Sequence, residues 1–300
     1  MDDRQRGLAL GVTAYLIWGL APVFWIQTQP VDARDLLAHR AIWSLPFVTL
    51  CLALAGRGRL VAVLGLFRRP RIMLVMAAAA LCGGLNWLIF LWAVTSGRVT
   101  EASLGYFLLP LVNVAIGLTL FREVVGRAQL VAIGFAVAGL LVQVVYYGGL
   151  PLAALGVALS FGLYGAIRKG VQVESIEGLL IETVFMAPFA LAWLIYRDGG
   201  GLGVYGLRVD LFLLASGAYT AIPLMAYVAS SRLLPLTALG LVFYIGPSVQ
   251  LLMAVWVLGE PFDKVQLAAF SLVWIGLLLV SVDTVRRARA QRRYSEELQL

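Results

Sequence analysis

The sequence predicts an all-α integral membrane protein: ten transmembrane helices arranged as two inverted five-helix repeats. Three observations predict it. The chain has 300 residues, of which 61% are hydrophobic and only 13% charged, against roughly 45–50% apolar and about 25% charged in a soluble domain. Charged or Gly/Pro-marked links cut the chain into helix-length apolar runs. Residues of the second half also recur in register with residues of the first. The apolar excess is more than one aqueous core can hide, so it has to face lipid.

A bilayer core takes about 20 apolar residues in a helix. The runs fall at 7–26, 36–55, 72–94, 102–121, 128–146, 151–167, 178–196, 211–230, 237–258 and 265–284. The first begins at Gly7, extends far and has no small-residue cleavage site, so it reads as a retained span. The second carries His39-Arg40 one turn from its start. The third contains Gly83-Gly84-Leu85-Asn86-Trp87, and the fourth opens beside Glu101 and contains Pro110. The fifth is almost wholly apolar. The sixth holds Tyr164, the seventh Glu182, the eighth Tyr219 and the ninth Pro247, while the tenth ends at a basic stretch. Unpaired backbone groups are not tolerated in lipid, so runs of this length must be helices. The alternation of a membrane barrel is absent. The longest links, Gly56–Arg71 and Arg197–Asp210, are too short for a soluble domain.

Lys and Arg set the orientation. With the N-terminus inside and strict alternation, 17 of the 23 lie inside and 6 outside. Both termini are therefore expected in the cytoplasm, and the tail from Arg286 to Arg293 can also meet anionic lipid. The net charge of +7 does not point to nucleic acid, because the arginines sit in short links and form no stripe with interleaved aromatics. Cys51 and Cys82 lie inside apolar runs and read as packing residues. The reading assigns no metal, no cofactor and no catalytic residue.

The halves repeat. Adding 137 carries Pro110 onto Pro247, Glu123 onto Glu260, Gln129 onto Gln266, Gly139 onto Gly276, Thr100 onto Thr237 and Asn113 onto Gln250. At a spacing of 146, Ala14-Tyr15 and Trp18-Gly19 fall on Ser160-Phe161 and Tyr164-Gly165. The repeats divide as 1–148 and 149–285, followed by a basic tail at 286–300. Five helices is an odd number, so the second copy starts from the opposite side of the membrane. Such inverted repeats surround a midplane site, and exchanging their conformations turns that site from one side to the other.

Several segments resemble a known family. Ala14-Tyr15-Leu16-Ile17-Trp18-Gly19, Arg122-Glu123 and Gly259-Glu260 are similar to the EamA-type drug/metabolite transporter superfamily. His39-Arg40 with Trp43-Ser44, Asn86-Trp87 with Phe90 and Trp92-Ala93, and Glu101-Ala102-Ser103-Leu104-Gly105-Tyr106-Phe107 resemble its RarD, or chloramphenicol-sensitive protein, group. Pro110-Leu111-Val112-Asn113 and Tyr244-Ile245-Gly246-Pro247 extend the likeness over nearly the whole chain. The resemblance implies two EamA repeats and export of small metabolites or drugs across the bacterial inner membrane. It also implies a cavity lined mainly by helices one, three, four, six, eight and nine. Phe121-Arg122-Glu123 departs from the Gly-Glu of many members.

Polar groups inside a bilayer are costly, which makes them functional candidates. Asn86 can bind substrate or bond a neighbouring helix. Tyr106, Asn113, Phe243, Tyr244 and Gln250 sit on the repeat-related fourth and ninth runs, where Pro110 and Pro247 are expected to interrupt the helix and act as hinges. Tyr15, Trp18, Trp87, Phe90, Tyr164 and Tyr219 supply aromatic walls suited to flat or cationic solutes. His39, Arg40, Glu101 and Glu182 are candidates for gating or coupling: Arg40 with Glu101 as an outer gate, and Glu182 as the proton-coupling carboxylate. Glu123 and Glu260 read as turn caps. The functional expectation is a secondary exporter working by alternating access, with protons as the coupling ion through Glu182. The alternative is an uncoupled facilitator, and a membrane-embedded enzyme is a remote third. No G-x-x-x-x-G-K-[ST] phosphate loop occurs, which removes an in-chain P-loop pump.

Overall fold

A computed structural model describes residues 2–120, 122, 126–234, 239 and 242–297. The first apolar run is two helices, α1 (Asp3–Gly19) and α2 (Ala21–Ile26). They are followed by α3 (Ala33–Ala55), α4 (Arg57–Leu66), α5 (Pro70–Thr95), α6 (Val99–Thr119) and α7 (Arg127–Tyr147). The second half holds α8 (Leu152–Lys169), α9 (Ser175–Tyr196), α10 (Leu207–Leu233), α11 (Ile245–Leu252) and α12 (Lys264–Glu297). A π-helical turn, Met253–Val257, extends α11. Among the described residues, nine helical spans are long and apolar enough to cross a bilayer, and Ile245–Val257 forms a shorter apolar helix. The chain is a multi-pass membrane protein. Residues 237, 238, 240 and 241 of the ninth run lie outside the described residues.

The surface is built for lipid. Leu81 and Val145 are 75% and 82% exposed, while the contacts between helices are made by Ala14, Ala79, Ala93, Ala132 and Ala153, all fully buried. Many large aliphatic side chains face out and alanines sit at helix contacts, because helices in lipid associate by close backbone approach.

Two departures from the expected helices fall at prolines. Pro22 has no N–H to give the carbonyl of Trp18, so α1 stops at Gly19 and the chain restarts with Pro22 in the first turn of α2, where a proline costs nothing. Pro110, expected to interrupt its helix, does not: α6 runs continuously from Val99 to Thr119. Pro247 stands in the first turn of α11, after a turn at Tyr244. The long arginine-rich link contains α4, whose buried Val63 packs in a cluster with Leu179 and Leu180 of α9. The basic stretch after the tenth run continues α12 as far as Glu297.

The repeat is visible in the packing. A side chain on Gly139 would meet the carbonyl of Ala269 at 2.8 Å, and one on Gly276 would meet the carbonyl of Ala132 at 3.0 Å. Both partners in the second contact are the first pair in the 137-residue register, so α7 and α12 cross by a pseudo-two-fold contact. Gln129 accepts from the Gly126 N–H at 2.7 Å, and Gln266 accepts from the Asp263 N–H at 3.2 Å. The pairing of α1 with α10 is mirrored by α8 with α5, while α3 faces its repeat mate α9 directly.

Glu260 is a cap, but across the repeats. Its carboxylate accepts from Val99 N–H at 2.6 Å and Thr100 N–H at 2.7 Å, at the start of α6, where the helix dipole favours negative charge. Glu123 and Thr237 lie outside the described residues.

Candidate functional site

Between the two repeats lies a cavity of about 570 Å³. Every helix of the bundle except α4, α7 and α12 contributes to its wall. Helices α3 and α9 take part through Arg40, Leu179 and Glu182, beyond the helices the sequence resemblance implied.

The wall is largely aromatic. Tyr15, Trp18, Trp87, Phe90, Tyr106, Tyr164, Tyr219 and Phe243 line it together with Asn86, Asn113, Pro247 and Gln250. Tyr15 meets Trp18 edge-on at 5.3 Å and Phe243 at 5.6 Å, geometries that aromatic quadrupoles favour. Phe161 stacks on Tyr164 at 5.6 Å. Trp25, Phe161, Tyr227 and Arg168 also line the cavity, beyond the residues the sequence singles out. Phe161 was within reach, since the repeat register places it opposite Tyr15. Trp25 was hidden because it follows the break at Leu20. Tyr244, expected on the wall, instead stacks over Phe107 with rings 13° from parallel.

Polar groups lock the wall. Asn86 donates to the Val157 carbonyl at 3.0 Å and to Ser160 Oγ at 3.1 Å, and Tyr106 reaches its Oδ1 at 3.5 Å. The carbonyl of Trp18 left free by Pro22 accepts from Gln250 Nε2 at 3.2 Å, and that of Ile17 accepts from the Tyr219 hydroxyl. The kink in the first span is thus satisfied by side chains from the second repeat, as buried carbonyls require. Ser103 donates to the Pro247 carbonyl at 2.7 Å, tying α6 to α11.

Charge sits at both ends. Towards the N-terminal end of α9, Glu182 accepts from the Tyr164 hydroxyl at 3.2 Å and lies 3.8 Å from Arg168 Nε. Arg168 also reaches Met76 Sδ and the Val173 carbonyl. In the sequence Arg168 is one of the 17 inside Lys and Arg charges and reads only as a topology charge, because it stands at the end of an apolar run. Its position one turn beyond Tyr164 was the usable signal. At the other end, the Arg40 guanidinium lies 3.9 Å from the ring centre of Trp87 and 5.7 Å from that of Trp25. Its Nε has no hydrogen-bond partner among the described residues.

The expected Arg40–Glu101 gate is not formed. Glu101 accepts from the Ala153 N–H at 2.7 Å at the start of α8, with Arg98 at 3.7 Å. A carboxylate in the first turn of α6 meets exposed backbone donors at a neighbouring helix start, and these hold it away from the cavity. His39 also faces away, with Nε2 bonding the carbonyls of Gly199 at 3.1 Å and Gly200 at 3.2 Å. Asp35, which the sequence reading passed over, accepts from Trp193 Nε1 at 2.8 Å and pairs with Arg197 at 3.3 Å. Together His39 and Asp35 fasten α3 to the end of α9 and its following loop. At the other end of α9, Glu174 pairs with Arg59 and Arg232.

Comparison with known proteins follows the same division into halves. The model of the EamA-like transporter family matches residues 5–145 and again 150–282. Protein RarD of Escherichia coli is 36% identical over 301 residues, covering 99% of this chain and all of that protein. An uncharacterized transporter of Vibrio cholerae is 35% identical over 97% of both chains. Chloramphenicol-sensitive protein RarD of Pseudomonas aeruginosa is 32% identical over 96% of this chain and 97% of its own. A protein crystal structure aligns with TM-score 0.60 at 21% identity, covering 92% of this chain and 97% of its own, which is a likeness of fold.

Proposed function

The chain belongs to the EamA-like transporter family, and from that premise we propose that it exports small metabolites or drugs across the bacterial inner membrane by alternating access. The observation that carries the reading is the cavity itself: its walls come from both inverted repeats, and it is large enough for a small organic solute. Rocking one repeat against the other would expose that cavity first to one side and then to the other. The Lys and Arg excess supports cytoplasmic termini.

Proton coupling through Glu182 completes this reading. Among the described residues, Glu182 is the sole carboxylate lining the cavity, and transporters commonly use a buried carboxylate as a proton relay. One observation favours an uncoupled facilitator instead: Arg168 already partners Glu182, and a paired carboxylate can serve packing alone. Purified protein in liposomes, given a panel of amino acids, amines and antibiotics, separates the two. Flux that follows an imposed pH gradient and loses that dependence in Glu182→Gln supports proton exchange. Flux indifferent to the gradient assigns the chain to the facilitators.

A further inference from the structure

The ionisable side chains of opposite sign in the cavity do not balance. Among the described residues Arg40, Arg168 and Glu182 line it, and Glu182 is matched by Arg168 at 3.8 Å. That leaves the positive charge of Arg40, which no ordinary pH removes. The guanidinium lies well inside the protein, two turns into α3, and no carboxylate among the described residues reaches it within ion-pair distance. Asp35, on its own helix, and Glu101, the expected gate partner, are held by Trp193 and Arg197 and by the Ala153 N–H. Tyr106 and Tyr219, which also line this end, direct their hydroxyl protons to Asn86 and to the Ile17 carbonyl.

We propose that Arg40 is the docking point for the carboxylate of an organic acid with a flat apolar body. The contacts of Arg40 support this. The guanidinium carbon lies 3.9 Å from the ring centre of Trp87, a cation–π contact that leaves hydrogen bonding to its N–H groups. No carboxylate among the described residues pairs with its terminal N–H groups, and a guanidinium can hold a carboxylate there by two parallel hydrogen bonds. Nε is buried and has no hydrogen-bond partner among the described residues, so the terminal nitrogens are the ones left to meet a carboxylate from the cavity that Arg40 lines. Trp25, Phe90 and Tyr219 nearby supply a wall for an aromatic or aliphatic body. An unpaired buried charge is costly, and a bound carboxylate would supply the missing counter-charge. The inference rests on the transport reading of this cavity and adds its substrate class.

Binding to the purified full-length protein tests it, read by thermal shift and by quenching of tryptophan fluorescence. The probes are 3-phenylpropanoate and indole-3-acetate, each against its matched amide. The acids should bind about tenfold or more tighter than the amides, the difference expected for charge-assisted hydrogen bonds. That preference should vanish in Arg40→Gln and survive in part in Arg40→Lys. Equal binding of acid and amide by the wild type overturns the proposal without need of any variant. So does a preference that persists in Arg40→Gln, or competition by sulfate or chloride as strong as that of the acids. Flux of the amides without preference for acids overturns the anion site and leaves transport standing. Acid-selective binding with no flux of any solute supports the site and removes the transport reading.

Discussion

Glu182 and Arg168 are 5% and 13% exposed, so each is the other's main compensation for burial. Removing one member of a buried pair typically costs about 3–5 kcal/mol. Arg168→Gln should therefore lower the thermal unfolding midpoint in detergent more than Glu182→Gln, which keeps a hydrogen-bond acceptor for Tyr164. The Arg168→Gln/Glu182→Gln double variant should recover much of the loss. Additive losses in that cycle would show that the two side chains are not coupled. Asn86 presents a gentler case. Asn86→Leu deletes bonds to Val157 and Ser160, and bonds of this kind average about 0.6 kcal/mol each in membrane proteins. Its midpoint should scarcely move, while any flux through the cavity should fall because the wall beside Tyr106 changes shape. Asn86 could be found in the sequence because a lone amide inside an apolar run has few reasons to be there. Arg168 could not be separated from topology charges, since a Lys or Arg at the end of a run serves both purposes and only the third dimension tells them apart. Glu101 misled for a related reason: a carboxylate near a membrane face has helix starts as well as arginines to bond, and their relative positions are set by packing.

At the scale of helices, the pseudo-two-fold crossing of α7 and α12 makes a paired prediction. Gly139→Leu and Gly276→Leu each force a side chain onto the facing backbone, and overpacking of this kind costs about 1–3 kcal/mol. Thermal unfolding should report similar losses for the two. Gly134→Leu lies on the same helix as Gly139 but meets nothing within 4 Å, so it should be near neutral. A loss at Gly134 equal to that at Gly139 would mean that α7 packs by another face. The cap on α6 supplies a second test. Glu260→Ala strips two backbone donors of their acceptor, a loss of about 1–3 kcal/mol in unfolding free energy, and Glu260→Gln should keep part of it. Helix positions were legible because apolar runs bounded by charge have few alternatives in a bilayer. Breaks within them were less so: Pro22 and Pro110 are both prolines in apolar runs, yet the chain is broken at one and continuous at the other. What decides is whether neighbouring side chains, here Tyr219 and Gln250, are placed to satisfy the carbonyls that a break exposes.

For the whole molecule, the repeat is what joins sequence to mechanism. Its register was readable because Pro, Glu, Gln and Gly recur together at one spacing, and the paired contacts of Gly139 and Gly276 express the same register in three dimensions. The cavity was readable only as a set of aromatic and amide residues on particular helices. Its charge pattern, with one end paired and the other open, emerged only when α3 and α9 were seen to reach the wall. The proposed alternating access requires two states of comparable stability, each open to one side. Accessibility measures this directly. Cys51 and Cys82 would be replaced, a single cysteine placed at Phe161 on the cavity wall, and the protein reconstituted in one orientation. A membrane-impermeant thiol reagent would then be added from one side or the other. Alternating access predicts labelling from both sides, with the balance shifted by a transported solute. Labelling from one side only, whatever solute or gradient is applied, would contradict it and make the cavity a static pocket.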